Sequence, residues 1–464
     1  MLCRFASIHR KLKGTYMKSD MTKGAIAPIL IKFMLPLFIG NLFQQFYNMV
    51  DTLIVGRYVG TDALAAVGAT GTIMFLILGF ANGLATGFTV LTSQSYGAHD
   101  DKRLRHSIAN AVILAVIVTL ITTMVSVISM KSILRMMNTP DDIFDYAYSY
   151  IITISYGICA SVFYNLGASI LRAVGNSKVP LYFLIFSACL NVGLDFVCIV
   201  GFDLKTFGAA LATVVSQGIS AVLCFIYIYK KQRSMWPERS DWHLEARDTS
   251  HQLRVGVPMA LQFAITASGT MIMQAAINLF GSTAVASFTA ASKIQGLITQ
   301  GMPSMGQTIA AYAGQNFGAG RYDRLKDGIK NSMIIMTVYS VVAAVLSLSL
   351  LEPAMHLFFD SAQDVAIHLP WAIPYIRFCA ICYIPLSAIF IFRNMMQGCG
   401  FGFLPMMGGV VELVSRAIMA VLSMKLMIYE LASACDPAAW LTTGIFTFVA
   451  WLYVAPKIEK MFAK

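Results

Sequence analysis

Three acidic side chains interrupt long apolar segments of the chain, namely Asp51, Asp195 and Glu412. An ionisable group in the hydrocarbon region of a bilayer costs several kcal/mol, so it is seldom present without a role in ion handling or in helix pairing. These three residues are therefore the first candidates for chemistry, and the segments that carry them decide what that chemistry is.

The two acids of the amino-terminal half lie at one depth. Asp51 and Asp195 are each about six residues from the outer end of their segment, or ~9 Å below the surface at the rise of an α-helix. Thr213 is at the same depth in the next segment, and Asn191 is one helical turn below Asp195 on the same face. Oxygen ligands in one layer suit Na⁺ or a proton shared between carboxylates, so we predict a coupling-cation site. A polar network that only holds the helices together is the alternative.

The acid of the carboxyl-terminal half has a basic neighbour. Glu412 and Arg416 are four residues apart, a spacing that favours a salt bridge within one helix. Lys293 is predicted at a similar depth in another segment and is an alternative partner for Glu412. These three residues are secondary candidates, and the sequence predicts mainly a structural role for them.

The composition places these residues in a membrane. Of 464 residues, 57% are hydrophobic and only 12% are charged, about half the charged share of soluble domains. Windows of roughly 20 apolar residues predict an all-α polytopic protein with twelve transmembrane helices. The predicted spans are 32–56, 63–95, 106–130, 146–171, 179–201, 207–229, 255–281, 283–314, 331–351, 370–392, 403–427 and 438–455.

The basic residues predict the orientation. Of the 34 Lys and Arg residues, 26 fall in the termini and in alternate loops that share one side. Such residues are retained in the cytoplasm, so we expect both termini there, and the net charge of +11 needs no nucleic-acid partner. The first twenty residues are basic without a cleavable apolar core, which predicts a cytoplasmic tail rather than a signal peptide. Met17 or Met21 could equally be the true start.

The chain contains an internal repeat. QSYGAHDDKRL after the second span and QNFGAGRYDRL after the eighth align at an offset of 221 residues, pairing Gln94 with Gln315 and Gly97 with Gly318. Two six-helix lobes inserted in the same direction are related by a pseudo-two-fold axis along the membrane normal, as in alternating-access transporters. The predicted divisions are tail 1–31, lobe 32–229, linker 230–254, lobe 255–455 and tail 456–464.

Several strings resemble one family over nearly the whole chain. They are YNMVDTLIVGRYVG in the first span, LRAVGNSKVP after the fourth, LNVGLDF in the fifth and FGAALATVVSQ in the sixth. They resemble the multidrug and toxic compound extrusion (MATE) family, nearest its bacterial DinF and MepA type branch. The resemblance implies a cation-coupled antiporter of the bacterial inner membrane that expels bulky cationic or amphipathic drugs. It also implies that Asp51, Asn191, Asp195 and Thr213 match the family's amino-terminal cation site.

Two other classes of function require different residues in the spans. A flippase for a lipid-linked precursor on a related two-lobe fold is expected to line its cavity with basic residues, and the predicted amino-terminal spans contain none beyond Lys32, the first residue of the first span. A membrane enzyme is expected to carry a nucleophile or metal ligands, but the seven histidines fall in tails, loops or span ends. We therefore expect a non-enzymatic, monomeric transporter of hydrophobic or cationic drugs in the lipid bilayer. We expect it to need no cofactor. The coupling ion is H⁺ or Na⁺, and the sequence does not distinguish between the two.

Overall fold

The computed structural model describes residues 20–137, 139–359 and 361–462, and the first part of the predicted amino-terminal tail lies outside them. Long helices occur at all twelve predicted positions. In chain order they are α1 Ile26–Tyr58, α2 Thr61–Gly97, α3 Asp101–Met136, α4 Asp141–Tyr156 with Ile158–Ala173, α5 Lys178–Asp195, α6 Lys205–Lys231, α7 Ala246–Asn278, α8 Ser282–Ile298 with Gly301–Gly318, α9 Tyr322–Ser349, α10 Ala362–Ile381 with Tyr383–Gly398, α11 Phe403–Leu426 and α12 Cys435–Phe462.

The lengths and compositions of these helices fit a membrane protein. Among the described residues, nine helices are long and apolar enough to cross a bilayer, or eleven when each bent pair counts as one span. Many large apolar side chains are exposed on the outside of the bundle, such as Leu120, Ile128, Val338 and Ile445. Exposing so much apolar surface to water is unfavourable, whereas contact with lipid is not. The all-α membrane fold predicted from composition is therefore confirmed.

The eighth span, α8, is broken, and the sequence shows why. Pro303 has no backbone N–H and cannot continue a helix that arrives from Ile298. The Tyr339 hydroxyl of α9 occupies the break, accepting a hydrogen bond from the Gly301 N–H at 3.1 Å and donating one to the Ile298 carbonyl at 2.5 Å. The exposed ends of the two half-helices are thereby satisfied inside the protein, as lipid requires.

Two further helices are bent rather than straight. The halves of α4 meet at 48° next to Gly157, and those of α10 meet at 51° at Cys382. Pro385 follows the second bend, where its missing N–H leaves the carbonyl of Ile381 without its helical partner. The second half of each bent helix contributes residues to the wall of a central cavity.

The helices extend past the predicted span ends because their last turns are polar, which hydropathy windows do not detect. The linker predicted at 230–254 is shorter, since α6 runs to Lys231 and α7 begins at Ala246. The linker is also held in place, because Arg105 of α3 lies 3.5 Å from Asp241. At the other end, α12 runs on to Phe462 through most of the predicted carboxyl-terminal tail.

Candidate ion site and central cavity

The structure brings the four predicted cation-site residues into one cluster between α1, α5 and α6. Asn191 donates a hydrogen bond from Nδ2 to the Thr213 hydroxyl at 3.3 Å. The carboxyl groups of Asp51 and Asp195 are close enough to each other to share a proton. Both acids are buried, with 8% of Asp51 and 0% of Asp195 exposed.

The cluster contains more acceptors than donors. Oδ1 of Asp51, Oδ1 of Asn191 and both carboxylate oxygens of Asp195 are buried without a hydrogen-bond donor. Neither acid forms an ion pair with any residue that the structure describes. Buried acceptors without donors are unfavourable, and a bound proton or Na⁺ supplies the missing positive charge. This arrangement fits cation binding better than a network that only holds helices together.

The backbone beside Asp195 is irregular. After this residue α5 continues as a single π-helical turn, Phe196–Gly201. Such turns insert one residue into the helix and recur at functional sites, because they re-aim the side chains on one face. Here the π-helical turn begins directly after Asp195. Asn191 lies one α-helical turn before Asp195.

Two tyrosines complete the cluster and were missed from the sequence. The Tyr47 hydroxyl contacts Thr213, and Tyr150 of α4 lies near Asp51. Tyr47 could have been found, because it is four residues before Asp51 on the same face of α1. Nothing in the sequence placed Tyr150 there, since the register of α4 against α1 depends on packing.

In the carboxyl-terminal lobe the charges compensate one another. Arg416 is 4% exposed at its side chain and lies 2.6 Å from Glu412 through Nη2 and 2.7 Å from Asp436 through Nε. Tyr375 donates a hydrogen bond to the other oxygen of Asp436 at 3.3 Å. This buried ion triad lies on α11 and α12, the helices of the second lobe that correspond to α5 and α6 in the six-helix repeat.

The structure differs from the sequence prediction for Lys293 and Asp436. Lys293 is exposed and forms no ion pair with any described residue, so it is not the partner of Glu412. Asp436 was excluded because the last span was predicted to begin at residue 438, whereas α12 begins at Cys435. The first turn of α12 is polar in sequence but buried in the structure.

Replacing Arg416 by methionine should destabilise the protein strongly, because two buried carboxylates lose the guanidinium that both of them contact. Breaking a buried ion pair costs about 3–5 kcal/mol. Thermal unfolding in detergent, followed by intrinsic fluorescence, should show Arg416→Met melting well below wild type. The control is Arg377→Met, since Arg377 is exposed in α10 and has no ion pair among the described residues.

The compensating variant must include Asp436. Apolar replacement of Glu412 and Arg416 alone leaves that acid unpaired, whereas replacing all three with leucine or methionine should restore most of the stability. If the triple variant is stable but does not transport, Glu412 takes part in the mechanism. If Arg416→Met melts with wild type, the triad does not stabilise the lobe.

The repeated Gln-x-x-Gly motif closes one end of the molecule. Gln94 donates to the Gly398 carbonyl and Gln315 to the Ala173 carbonyl, each at 2.9 Å, so each glutamine reaches the bent helix of the other lobe. A Cβ on Gly97 would lie 1.9 Å from the carbonyl oxygen of Gln315, and one on Gly318 the same distance from that of Gln94. Only glycine permits this crossing of α2 and α8.

A central cavity of about 650 Å³ lies between the lobes, next to that closure. Its walls include apolar side chains such as Leu78, Phe263 and Ile389, together with amides and hydroxyls. Its charged lining residues are Arg172, Arg393 and Glu412. The two arginines correct the sequence analysis, which ended the fourth and tenth spans at residues 171 and 392 and so assigned both to loops. The amino-terminal lobe therefore does place a basic residue in the cavity.

A two-lobe helical bundle with a central cavity closed at one end has the architecture of an alternating-access membrane transporter. A family model described as MatE matches residues 36–197 and again residues 258–422, one match in each lobe. The chain belongs to the MatE family, so the resemblance inferred from its motifs is confirmed.

Named relatives and solved structures agree with this assignment. The chain is 27% identical over 336 residues to the probable multidrug resistance protein YoeA of Bacillus subtilis, covering 69% of this chain and 73% of that protein. It is 23% identical over 390 residues to the multidrug export protein MepA of Staphylococcus aureus, covering 82% and 83%. A crystal structure of a MATE protein in complex with MaL6 superposes with a TM-score of 0.88 at 20% identity, covering 96% of this chain and 99% of that one.

Proposed function

We propose that the protein is an antiporter that exports hydrophobic small molecules from the bacterial cytoplasm across the inner membrane, driven by the entry of H⁺ or Na⁺. The observation that carries the proposal is the cluster of buried, donor-free oxygens around Asp51 and Asp195. Relatives named as multidrug export and multidrug resistance proteins support drugs as the substrate class. Further parts of the proposal are a monomer, cytoplasmic termini and no cofactor besides the coupling ion.

The geometry offers a route from cation to substrate. Tyr47 lines the central cavity and also contacts Thr213 of the cluster. A cation bound between Asp51 and Asp195 removes the repulsion between the two carboxylates and so changes how α1 packs on α5 and α6. The cavity wall at Tyr47 moves with α1, which links cation binding to substrate binding.

This link predicts reciprocal binding. Coupling free energies between sites are usually about 1–3 kcal/mol, so saturating the coupling cation should weaken dye binding about five- to 150-fold. Equilibrium binding of a fluorescent dye to the purified protein, titrated with Na⁺ at fixed pH and with H⁺ at fixed Na⁺, measures the effect. Asp195→Asn should flatten the dependence while some dye affinity remains.

The matched control for that experiment is Asp203→Asn, which removes an exposed carboxylate from the loop that follows α5. It should leave the cation dependence as in wild type. A wild-type dye affinity that is insensitive to both cations would remove the coupling site from the proposal.

A flippase for an amphipathic or lipid-linked substrate is the second candidate function. Arg172 and Arg393 favour this function, because both line the cavity. The predicted spans had left both residues in loops. Antiport and flipping differ in their dependence on an ion gradient, which transport by the purified protein in sealed vesicles measures.

A further inference from the structure

Two arginines line the central cavity, one from each lobe. Arg172 is in the second half of α4, and Arg393 is in the second half of α10. Arg172 directly precedes Ala173, whose carbonyl accepts the closing hydrogen bond from Gln315. Arg172 therefore lies at the closed end of the cavity, and Arg393 precedes Gly398, the other closing acceptor, by five residues.

Neither arginine is neutralised by an ion pair with a described residue. The Arg172 guanidinium donates a hydrogen bond to the neutral Ser169 hydroxyl at 2.7 Å. Arg393 stacks over the ring of Phe390, 5.1 Å from its centroid, and its one acidic neighbour is Glu412. That acid is already bound to Arg416 at 2.6 Å, so it compensates Arg393 only in part.

Keeping two guanidinium groups without a full countercharge in the wall of one cavity is unfavourable unless an anion binds there. Guanidinium groups bind phosphate and carboxylate through paired, charge-assisted hydrogen bonds. Amides and hydroxyls stand beside them in the same wall, among them Asn165, Asn394 and Gln397. The remainder of the cavity is rich in aliphatic and aromatic side chains, which suit an apolar body.

We propose that the cavity binds amphipathic anions, with a phosphate or carboxylate head attracted by the positive charge of Arg172 and Arg393 and the apolar part against the apolar walls. The inference depends on the proposed function only in taking this cavity as the substrate site. It assigns the substrate a charge opposite to that of the cationic drugs expected from the resemblance.

A pair of matched probes tests the charge preference. The full-length protein in nanodiscs of zwitterionic lipid is titrated with a fluorescent decyl phosphate and with the same fluorophore and chain carrying a trimethylammonium head. The phosphate probe should bind more tightly to wild type. Because a hydrogen bond to a charged group contributes about 1.5–3 kcal/mol, Arg172→Gln and Arg393→Gln should each weaken phosphate binding about ten- to 100-fold. Neither variant should weaken binding of the cationic probe.

Two further variants separate charge from folding. Arg172→Lys keeps the positive charge and should retain part of the affinity, which a loss of folded protein would not allow. Arg377→Gln removes an arginine from α10 that does not line the cavity and should leave both probes unaffected. Equal phosphate affinity in wild type and in the Arg172→Gln, Arg393→Gln double variant would overturn the proposal, as would tighter binding of the cationic probe to wild type.

Nanodiscs that contain some phosphatidic acid identify the source of the anion. Competition between this lipid and the phosphate probe indicates that a lipid head enters the cavity, and its absence indicates a soluble amphiphile. Both results support the anion site. The measurement uses no ion gradient, so a failure of coupled efflux would reject the antiport proposal without affecting this one.

Discussion

Cells that produce Asp51→Asn should accumulate a fluorescent efflux dye as fully as cells without the transporter. Asparagine keeps the size and polarity of the side chain but can neither release a proton nor offer a carboxylate to Na⁺. Asp51 and Asp195 then no longer repel each other, so the cluster loses the charge that a coupling cation would neutralise. Dye accumulation in intact cells, with protein amount in the membrane measured in parallel, gives the result.

Asp62→Asn is the matched control for this experiment, because Asp62 is exposed in the first turn of α2 and has no part in the cluster. It should export dye as wild type does. Undiminished export by Asp51→Asn at normal abundance would show that Asp51 is not the coupling acid.

Adding one methyl group at Gly97 should abolish transport. A Cβ there would lie 1.9 Å from the Gln315 carbonyl oxygen, and backbone atoms cannot move aside as the end of a side chain can. Gly97→Ala therefore opposes the crossing of α2 and α8 and destabilises the state closed at this end. Gly318→Ala should act in the same way, since its Cβ would meet the Gln94 carbonyl at 1.9 Å.

Cys399 reports this closure directly. It is buried beside Gly398, which accepts the closing hydrogen bond from Gln94. In a variant with Cys399 as its single cysteine, an impermeant thiol reagent should label inside-out vesicles much faster after Gly97→Ala. Gly71→Ala on the same helix has open space around its Cβ and should change neither labelling nor transport. Wild-type labelling and transport in Gly97→Ala would mean that the crossing does not form the closure.

The sequence predicts this fold well because the bilayer restricts it. A helix must be apolar over about 20 residues to cross the hydrocarbon, so composition alone located all twelve helices. The cluster was predictable for the same reason, since Asp51 and Asp195 are conspicuous among apolar neighbours and their depth follows from counting residues. Their contact across α1 and α5 was then the simplest arrangement of two acids at one depth.

The incorrect assignments of residues to loops share one physical cause. Asp436, Arg172 and Arg393 lie where helices continue beyond their apolar stretch, and hydropathy treats such ends as loops. Whether a charge at a helix end meets water, an ion pair or a cavity depends on the neighbouring helices, which the sequence of one helix does not contain. For this reason the ion triad and the two cavity arginines became apparent only from the packed structure.

Transport by purified protein in sealed vesicles tests the central claim, that a cation gradient acting through Asp51 and Asp195 drives export. Vesicles carrying amphipathic fluorescent dyes of either charge are given a Na⁺ gradient or a pH gradient, each applied alone. We predict that at least one gradient moves dye against its own concentration gradient, that an ionophore collapsing it stops the movement, and that Asp51→Asn shows none. The account would be contradicted if dye moved only down its own concentration gradient, at a rate that neither the Na⁺ gradient nor the pH gradient changed.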